Sequence, residues 1–174
     1  MEITLQYSPL PKQRRFLSLP QSVALYSGAF GAGKSSTICV AVLLQALGIK
    51  NNRCLIARKR MTDLRNTTMK SFFEIMPLSS PVIDFWSKTE SRLVLKNGSE
   101  ILFGGFDTTT KWASSELGCF AMDEATDFLH EDFMMLMSRL RKPNVPSHRG
   151  FLACNPDTKT HWIYKTFFEQ DHDH

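Results

Sequence analysis

The chain has no apolar run of the roughly 18 to 20 residues that a membrane span needs. Its most apolar stretch, Ile38 to Leu47, is short and already holds Gln45. The start, Met1-Glu2-Ile3, lacks the basic and then apolar profile of a secretory signal. Internal repeats and low-complexity segments are absent, and cysteine is sparse. The four cysteines, Cys39, Cys54, Cys119 and Cys154, sit inside apolar runs with no C-x-x-C pair and no histidine at ligand spacing. That pattern argues against zinc and disulfides and for buried free thiols. Charge of one sign is not dominant either: 21 basic against 17 acidic residues leave +4, a slight lean toward a polyanionic partner. A chain of 174 residues is long enough for one domain with a real core and too short for two. The expectation is one soluble α/β unit over residues 1–174, without a membrane.

Against these absences stands Gly28-Ala29-Phe30-Gly31-Ala32-Gly33-Lys34-Ser35, a complete G-x-x-x-x-G-K-[ST] pattern between an apolar strand-like run and a longer helix-like one. Each residue answers a physical demand of triphosphate binding. The glycines let backbone N–H groups turn inward, and the helix starting near Gly33 points its positive end at the phosphates. Lys34 reaches the β- and γ-phosphates, and the Ser35 hydroxyl ligates magnesium. Gly28, Ala29, Phe30, Gly31, Ala32, Gly33, Lys34, Ser35 and Ser36 form the expected cradle.

Along the chain, Pro9 and Pro11 stiffen an entry to a short helix, and Val23 to Tyr26 reads as the first central strand. A helix is predicted from about Lys34 to Leu47, stopping near Gly48. Cys54 to Ala57 is the next strand and delivers Arg58, Lys59 and Arg60 at its carboxyl end, where ligands sit in open α/β sheets. A helix from about Thr62 to Ile75 follows, and Asn97-Gly98 between alternating runs predicts a hairpin over Arg92 to Phe103. Gly118 to Met122 is a third buried strand, ending at Asp123-Glu124. Next comes a helix carrying Phe133, Met134, Leu136, Met137 and Leu140, its methionines read as core filler. Gly150 to Cys154 is a fourth strand ending at Asn155-Pro156, and a last helix covers about Thr160 to Phe168.

Hydrolysis of a triphosphate takes magnesium, a water with a base, and positive charge on the transferring phosphoryl group. Asp123 is placed to hold magnesium through water and Glu124 to polarise the attacking water. Asn155, one strand further on, is a candidate for detecting the γ-phosphate and passing that state onward. Gln13, near the proline-rich turn, is a candidate for reading the edge of adenine.

Taken in order, Pro11-Lys12-Gln13, Gly28 to Ser35, Ala57-Arg58-Lys59 with Asp63-Leu64, Phe103-Gly104-Gly105, Met122-Asp123-Glu124-Ala125-Thr126, Ser138-Arg139-Leu140-Arg141 and Ala153-Cys154-Asn155-Pro156 resemble the ATPase half of the large subunit of tailed-phage terminases. The resemblance implies a RecA-like fold of the additional-strand, catalytic-glutamate type, a mostly parallel sheet flanked by helices with a hairpin insertion. It implies Lys34 and Ser35 in Walker A, Asp123 and Glu124 in Walker B, and Asn155 in a coupling motif. It also implies ATP and Mg2+ as cofactors, double-stranded DNA as a sequence-independent partner, a portal protein and small terminase subunit as others, a pentamer in the motor and a monomer when isolated, and the host cytoplasm as location.

Two departures qualify it. Many terminases place an arginine in the middle of the phosphate loop, where this chain has Phe30. Arg58 in cis, Arg139 or Arg141, or a neighbouring subunit are the alternatives for that charge, with Lys111 the nearest match to the basic residue expected before the catalytic glutamate. The second is length: the expectation is a domain without the nuclease half, and Asp171 to His174 reads as a frayed polar end rather than a metal site. Two other readings stay open, a helicase-like lobe of superfamily 2 and a non-hydrolysing, nucleotide-switched DNA-binding module.

Overall fold

The computed structural model describes residues 3–107, 112, 114–155, 158–159 and 161–169. Its strands are β1 (Val23–Ser27), β2 (Arg53–Arg58), β3 (Ile83–Ser87), β4 (Arg92–Leu95), β5 (Glu100–Gly105), β6 (Cys119–Met122) and β7 (Arg149–Cys154). They form one seven-stranded sheet in the order β1-β7-β6-β2-β5-β4-β3. The β1–β7, β7–β6, β6–β2 and β2–β5 pairs are parallel, and β5–β4 and β4–β3 are antiparallel. The helices are α1 (Pro11–Leu17), α2 (Lys34–Gly48), α3 (Met61–Asp63), α4 (Met69–Ile75), α5 (His130–Arg139) and α6 (Trp162–Phe167). A π-helical turn, Leu64–Thr68, joins α3 to α4, and a 3-10 turn, Ala125–Asp127, follows β6. No helix among the described residues is long and apolar enough to cross a membrane.

The sheet is covered on both faces because its central strands alternate two apolar sets. Cys54 and Ile56 of β2 join Ile38, Val42, Leu43, Phe72, Leu93 and Phe103 in one core. Leu55 and Ala57 of the same strand join Phe120, Met122, Phe128, Phe133, Leu136 and Leu152 in the other. All four cysteines lie buried as free thiols, filling these layers as small apolar groups.

Three local expectations change. β1 is an edge strand rather than a central one: among the described residues β7 is its sole partner in the sheet, and its burial alternates instead of being complete. An unbroken apolar run reads identically for both positions; beside β1, Phe16 packs edge-on against Tyr26 and Lys12 Nζ donates to the Ser27 carbonyl at 2.9 Å. Met134 on α5 is 51% exposed and fills no core, whereas Met137 packs partly buried on the second cluster. β3 is a strand without a sequence signal, since Ile83–Ser87 buries few of its side chains and pairs only through the hairpin.

The Asn-Gly hairpin forms as expected, and its turn also anchors α2. Asn97 Nδ2 donates to the carbonyls of Ala46 and Leu47 at 2.8 and 3.2 Å, satisfying acceptors that the helix end leaves open.

Candidate functional site

Strand register brings the predicted residues to one edge of the sheet. Ser27 pairs with Cys154, Met122 with Leu152 and Ala57 with Met122. The phosphate loop after β1, Asn155 after β7, Asp123-Glu124 after β6 and Arg58 closing β2 therefore share the carboxyl side of four adjacent parallel strands.

The loop turns through left-handed backbone at Gly31 (φ +79°) and Gly33 (φ +66°), conformations that a β-carbon penalises. Ala29, Phe30 and Gly31 are at least partly exposed, Phe30 at 96%. Lys34 opens α2 nearly buried, its Nζ donating to the Ala29 carbonyl across the loop at 2.9 Å. That ammonium is thus held within the ring that phosphates would enter. Ser35 and Ser36 occupy the next two positions of the helix, partly exposed. The Gly28 N–H donates to the Cys154 carbonyl at 3.3 Å.

Gln13, on α1, lies against the phosphate loop. It is 5% exposed, and its Oε1 accepts from the Tyr7 hydroxyl at 3.0 Å and the Leu10 N–H at 2.9 Å. Its Nε2 donates to the Ala32 carbonyl at 3.1 Å. The amide is engaged at both ends in bracing α1 against the phosphate loop.

Asp123 is 1% exposed. Its Oδ1 accepts from the Glu124 N–H at 3.0 Å, and its Oδ2 accepts from the Thr68 hydroxyl at 2.5 Å. Glu124 stands in left-handed backbone, φ +50°, strain of a kind that concentrates at working sites. Burial and the neighbouring Asp123 charge raise its carboxyl above the usual range, while Arg58 and Lys34 pull it back down. Those opposing influences place Glu124 within electrostatic reach of both cations. Arg58 Nη1 donates to the Thr67 hydroxyl at 2.7 Å, and Thr67 Oγ1 donates to the Asp63 carbonyl at 2.7 Å. Sequence reasoning does not single out Thr67 and Thr68. Their only signal is a pair of β-branched hydroxyl residues in a helical span, where such residues are uncommon formers.

Asn155 is partly buried, and its Oδ1 is shielded from solvent with no hydrogen-bond partner among the described residues. It lines a cavity of about 160 Å3 with Ser27, Thr126, His161 and Tyr164. α6 closes over the turn after Glu124, His161 Nε2 lying 3.1 Å from the Thr126 carbonyl and Trp162 Nε1 donating to the Phe128 carbonyl at 2.8 Å.

Arg139 and Arg141 are not brought to this edge. The Arg139 carbonyl accepts from Leu117 N–H, just ahead of β6, and Arg141 lies 3.9 Å from Glu116. Six residue steps, about 20 Å of extended chain at ~3.3 Å per residue, separate Leu117 from Asp123. Of these three arginines Arg58, closing β2, is the one that lies at this edge. Lys111 and Asp171 to His174 lie outside the described residues.

The donors suit a nucleotide-bound magnesium rather than a metal held by protein alone. No group of three or more His, Cys, Asp or Glu side chains able to hold a metal occurs among the described residues. One hydroxyl, Ser35, and one buried carboxylate, Asp123, leave coordination places for phosphate and water, as magnesium prefers.

The family model for the phage terminase large subunit matches residues 20–174. The PBSX phage terminase large subunit of Bacillus subtilis (strain 168) is 27% identical over 155 residues, covering 87% of this chain and 35% of that protein. The large terminase of a thermophilic bacteriophage superposes with a TM-score of 0.78 at 12% identity, covering 98% of this chain and 43% of that one. Its complex with ATP-gamma-S gives 0.70 at 15%, covering 92% and 41%. The large terminase ATPase domain of Thermus phage P74-26 gives 0.69 at 14%, covering 92% and 70%. The chain spans about a third of the length of the curated relative it matches, and the structural likenesses speak for the RecA-like fold. With a phosphate loop, an Asp-Glu pair and an asparagine aligned on one sheet edge, and a family model matching nearly all of its length, this chain belongs to the phage terminase large subunit family.

Proposed function

We propose that this domain binds ATP with magnesium, hydrolyses it, and couples the turnover to movement of double-stranded DNA into a procapsid. The observation that carries the reading is the placement of Glu124 beside Asp123, within electrostatic reach of Lys34 and Arg58, at the end of a strand facing the phosphate loop. A pure nucleotide binder has no use for a strained, partly buried glutamate there. Loop N–H groups from Gly28 to Ser36 and the Lys34 ammonium bind and orient the phosphates. Ser35 and Asp123 would hold magnesium, which when bound neutralises charge on the β- and γ-phosphate oxygens. Glu124 Oε takes up the proton of the attacking water, and Arg58 faces the negative charge that grows on the transferring group. Asn155, its oxygen without a partner among the described residues, reads the γ-phosphate end of the site. The loop's missing arginine leaves room for a cation from a neighbouring copy, in keeping with a homo-oligomeric motor, a pentamer by resemblance, acting with a portal protein and a small subunit in the host cytoplasm. Contact with DNA would be through phosphates, sequence-independent and weakened by salt.

The test is steady-state ATP hydrolysis over a wide range of protein concentration, with and without double-stranded DNA, parental protein beside Glu124→Ala and Lys34→Ala. The expected result is a rate that disappears in both variants, with nucleotide binding kept in Glu124→Ala and lost in Lys34→Ala. Parental-rate hydrolysis by Glu124→Ala would overturn the assignment of the base. A rate per chain that climbs with concentration identifies a cation supplied in trans, and a constant rate identifies Arg58.

A further inference from the structure

Asp123 is held by Thr68, a residue outside the motifs that carry the family resemblance. Asp123 is buried, and a buried carboxylate is tolerated only where its oxygens find donors. Among the described residues its one side-chain donor is Thr68, 0% exposed, whose hydroxyl lies 2.5 Å from Oδ2. Thr68 ends the π-helical turn Leu64–Thr68, closed by the Met69 N–H donating to the Leu64 carbonyl. Such wide turns interrupt helices mostly at functional sites. Here the turn sets two consecutive threonines to face different partners: Thr67 accepts from Arg58, and Thr68 donates to Asp123. From α2, Cys39 Sγ donates to the Thr68 carbonyl at 3.8 Å, so the backbone of the turn is also tied to the helix that begins with Lys34.

Resting on the reading above, we propose that Thr68 is the positioning residue for the magnesium-binding carboxylate. Its hydroxyl holds Oδ2 while the Glu124 N–H holds Oδ1, fixing the orientation of the carboxylate that would hold the metal. Thr67, on the same turn, accepts from Arg58 and donates to the Asp63 carbonyl, its hydroxyl 3.5 Å from that of Thr68. The role is that of an outer-shell partner, whose loss typically weakens metal binding about 10- to 100-fold.

The experiment titrates Mg2+ against protein with a fluorescent, non-hydrolysable ATP analogue and reads the Mg2+ concentration at half-maximal binding. Thr68→Val, which keeps shape and removes the hydroxyl, is expected to raise that midpoint at least ~10-fold. Thr68→Ser, which keeps the donor, is expected to stay near the parental midpoint. A parental midpoint in Thr68→Val, or an equal shift in Thr68→Ser, overturns the proposal while leaving the ATPase reading intact. Should Thr68→Val fail to fold, the Thr68→Ala and Thr68→Ser pair decides on the same readout. A parental protein that binds no nucleotide at any Mg2+ concentration overturns both readings together.

Discussion

Gly33→Ala measures how the phosphate loop is built. Gly33 sits at φ +66°, where a β-carbon costs about 1–2 kcal/mol. An added Cβ would also lie 2.6 Å from Gln13 Nε2, an approach that real structures do not allow. Gln13 must then move, and its amide carries contacts to Tyr7, Leu10 and Ala32, each worth about 0.5–1.5 kcal/mol. With some of these lost, the total is about 2–4 kcal/mol, a fall in Tm of roughly 5–15 °C for a chain of this length. Gly31→Ala is the internal control: φ is +79°, but nothing lies within 4 Å of the added carbon, so only the backbone cost of about 1–2 kcal/mol remains. Thermal unfolding of Gly33→Ala, Gln13→Ala and the double variant completes a cycle. In the Gln13→Ala background the cost of Gly33→Ala should drop to that of Gly31→Ala, a coupling of about 1–2 kcal/mol. Equal cost in both backgrounds, or a Gly33→Ala no worse than Gly31→Ala, would refute the claim that Gln13 braces the loop.

Glu124→Gln should bind nucleotide and not turn it over. Because burial and Asp123 raise the Glu124 carboxyl, the folded chain holds that proton more tightly than the unfolded one, so ionising it costs stability above the ordinary carboxylate range. Glu124→Gln is accordingly expected to raise Tm at pH 8 and leave it unchanged at pH 4, checked by melts at both values. For the same reason parental turnover should fall, on acidification, at a higher pH than an unperturbed carboxylate would give; a pH-rate profile reads this directly. Phe30→Ala removes a side chain that is 96% exposed and should change stability by no more than ~0.5 kcal/mol in urea unfolding. Asp132→Ala should cost about 2 kcal/mol in the same assay, since Asp132 Oδ2 accepts from both Lys59 Nζ at 2.8 Å and the Leu129 N–H at 2.9 Å at the start of α5.

Much of the candidate site's arrangement was legible in the sequence because its elements are local. A glycine-rich turn, a lysine at a helix start and a carboxylate pair at a strand tip each occupy adjacent positions, so neighbouring residues state the chemistry. The parts that escaped depend on where distant segments meet. That Arg139 and Arg141 flank the amino end of β6 follows from the Leu117–Leu140 bridge, which no local pattern encodes. Gln13 reads as a polar residue near a turn whether it faces adenine or the underside of the phosphate loop. Thr68 meets Asp123 across 55 positions, through an extra residue in a helical turn that periodicity cannot resolve. The rank of β1 in the sheet was equally hidden, since apolar shelter from a helix and from a strand leave the same composition.

The bond from Gly28 N–H to the Cys154 carbonyl joins the first residue of the phosphate loop to the peptide unit that precedes Asn155. On the proposed function, phosphate binding at the loop and its readout at Asn155 would be separated by a single peptide group in a parallel ladder, backbone to backbone. A displacement of the loop on γ-phosphate loss would then reach Asn155 through the backbone. The cavity beside Asn155, bounded by α6, gives that movement somewhere to go. The step that limits the cycle would then lie in chemistry or product release rather than in transmission.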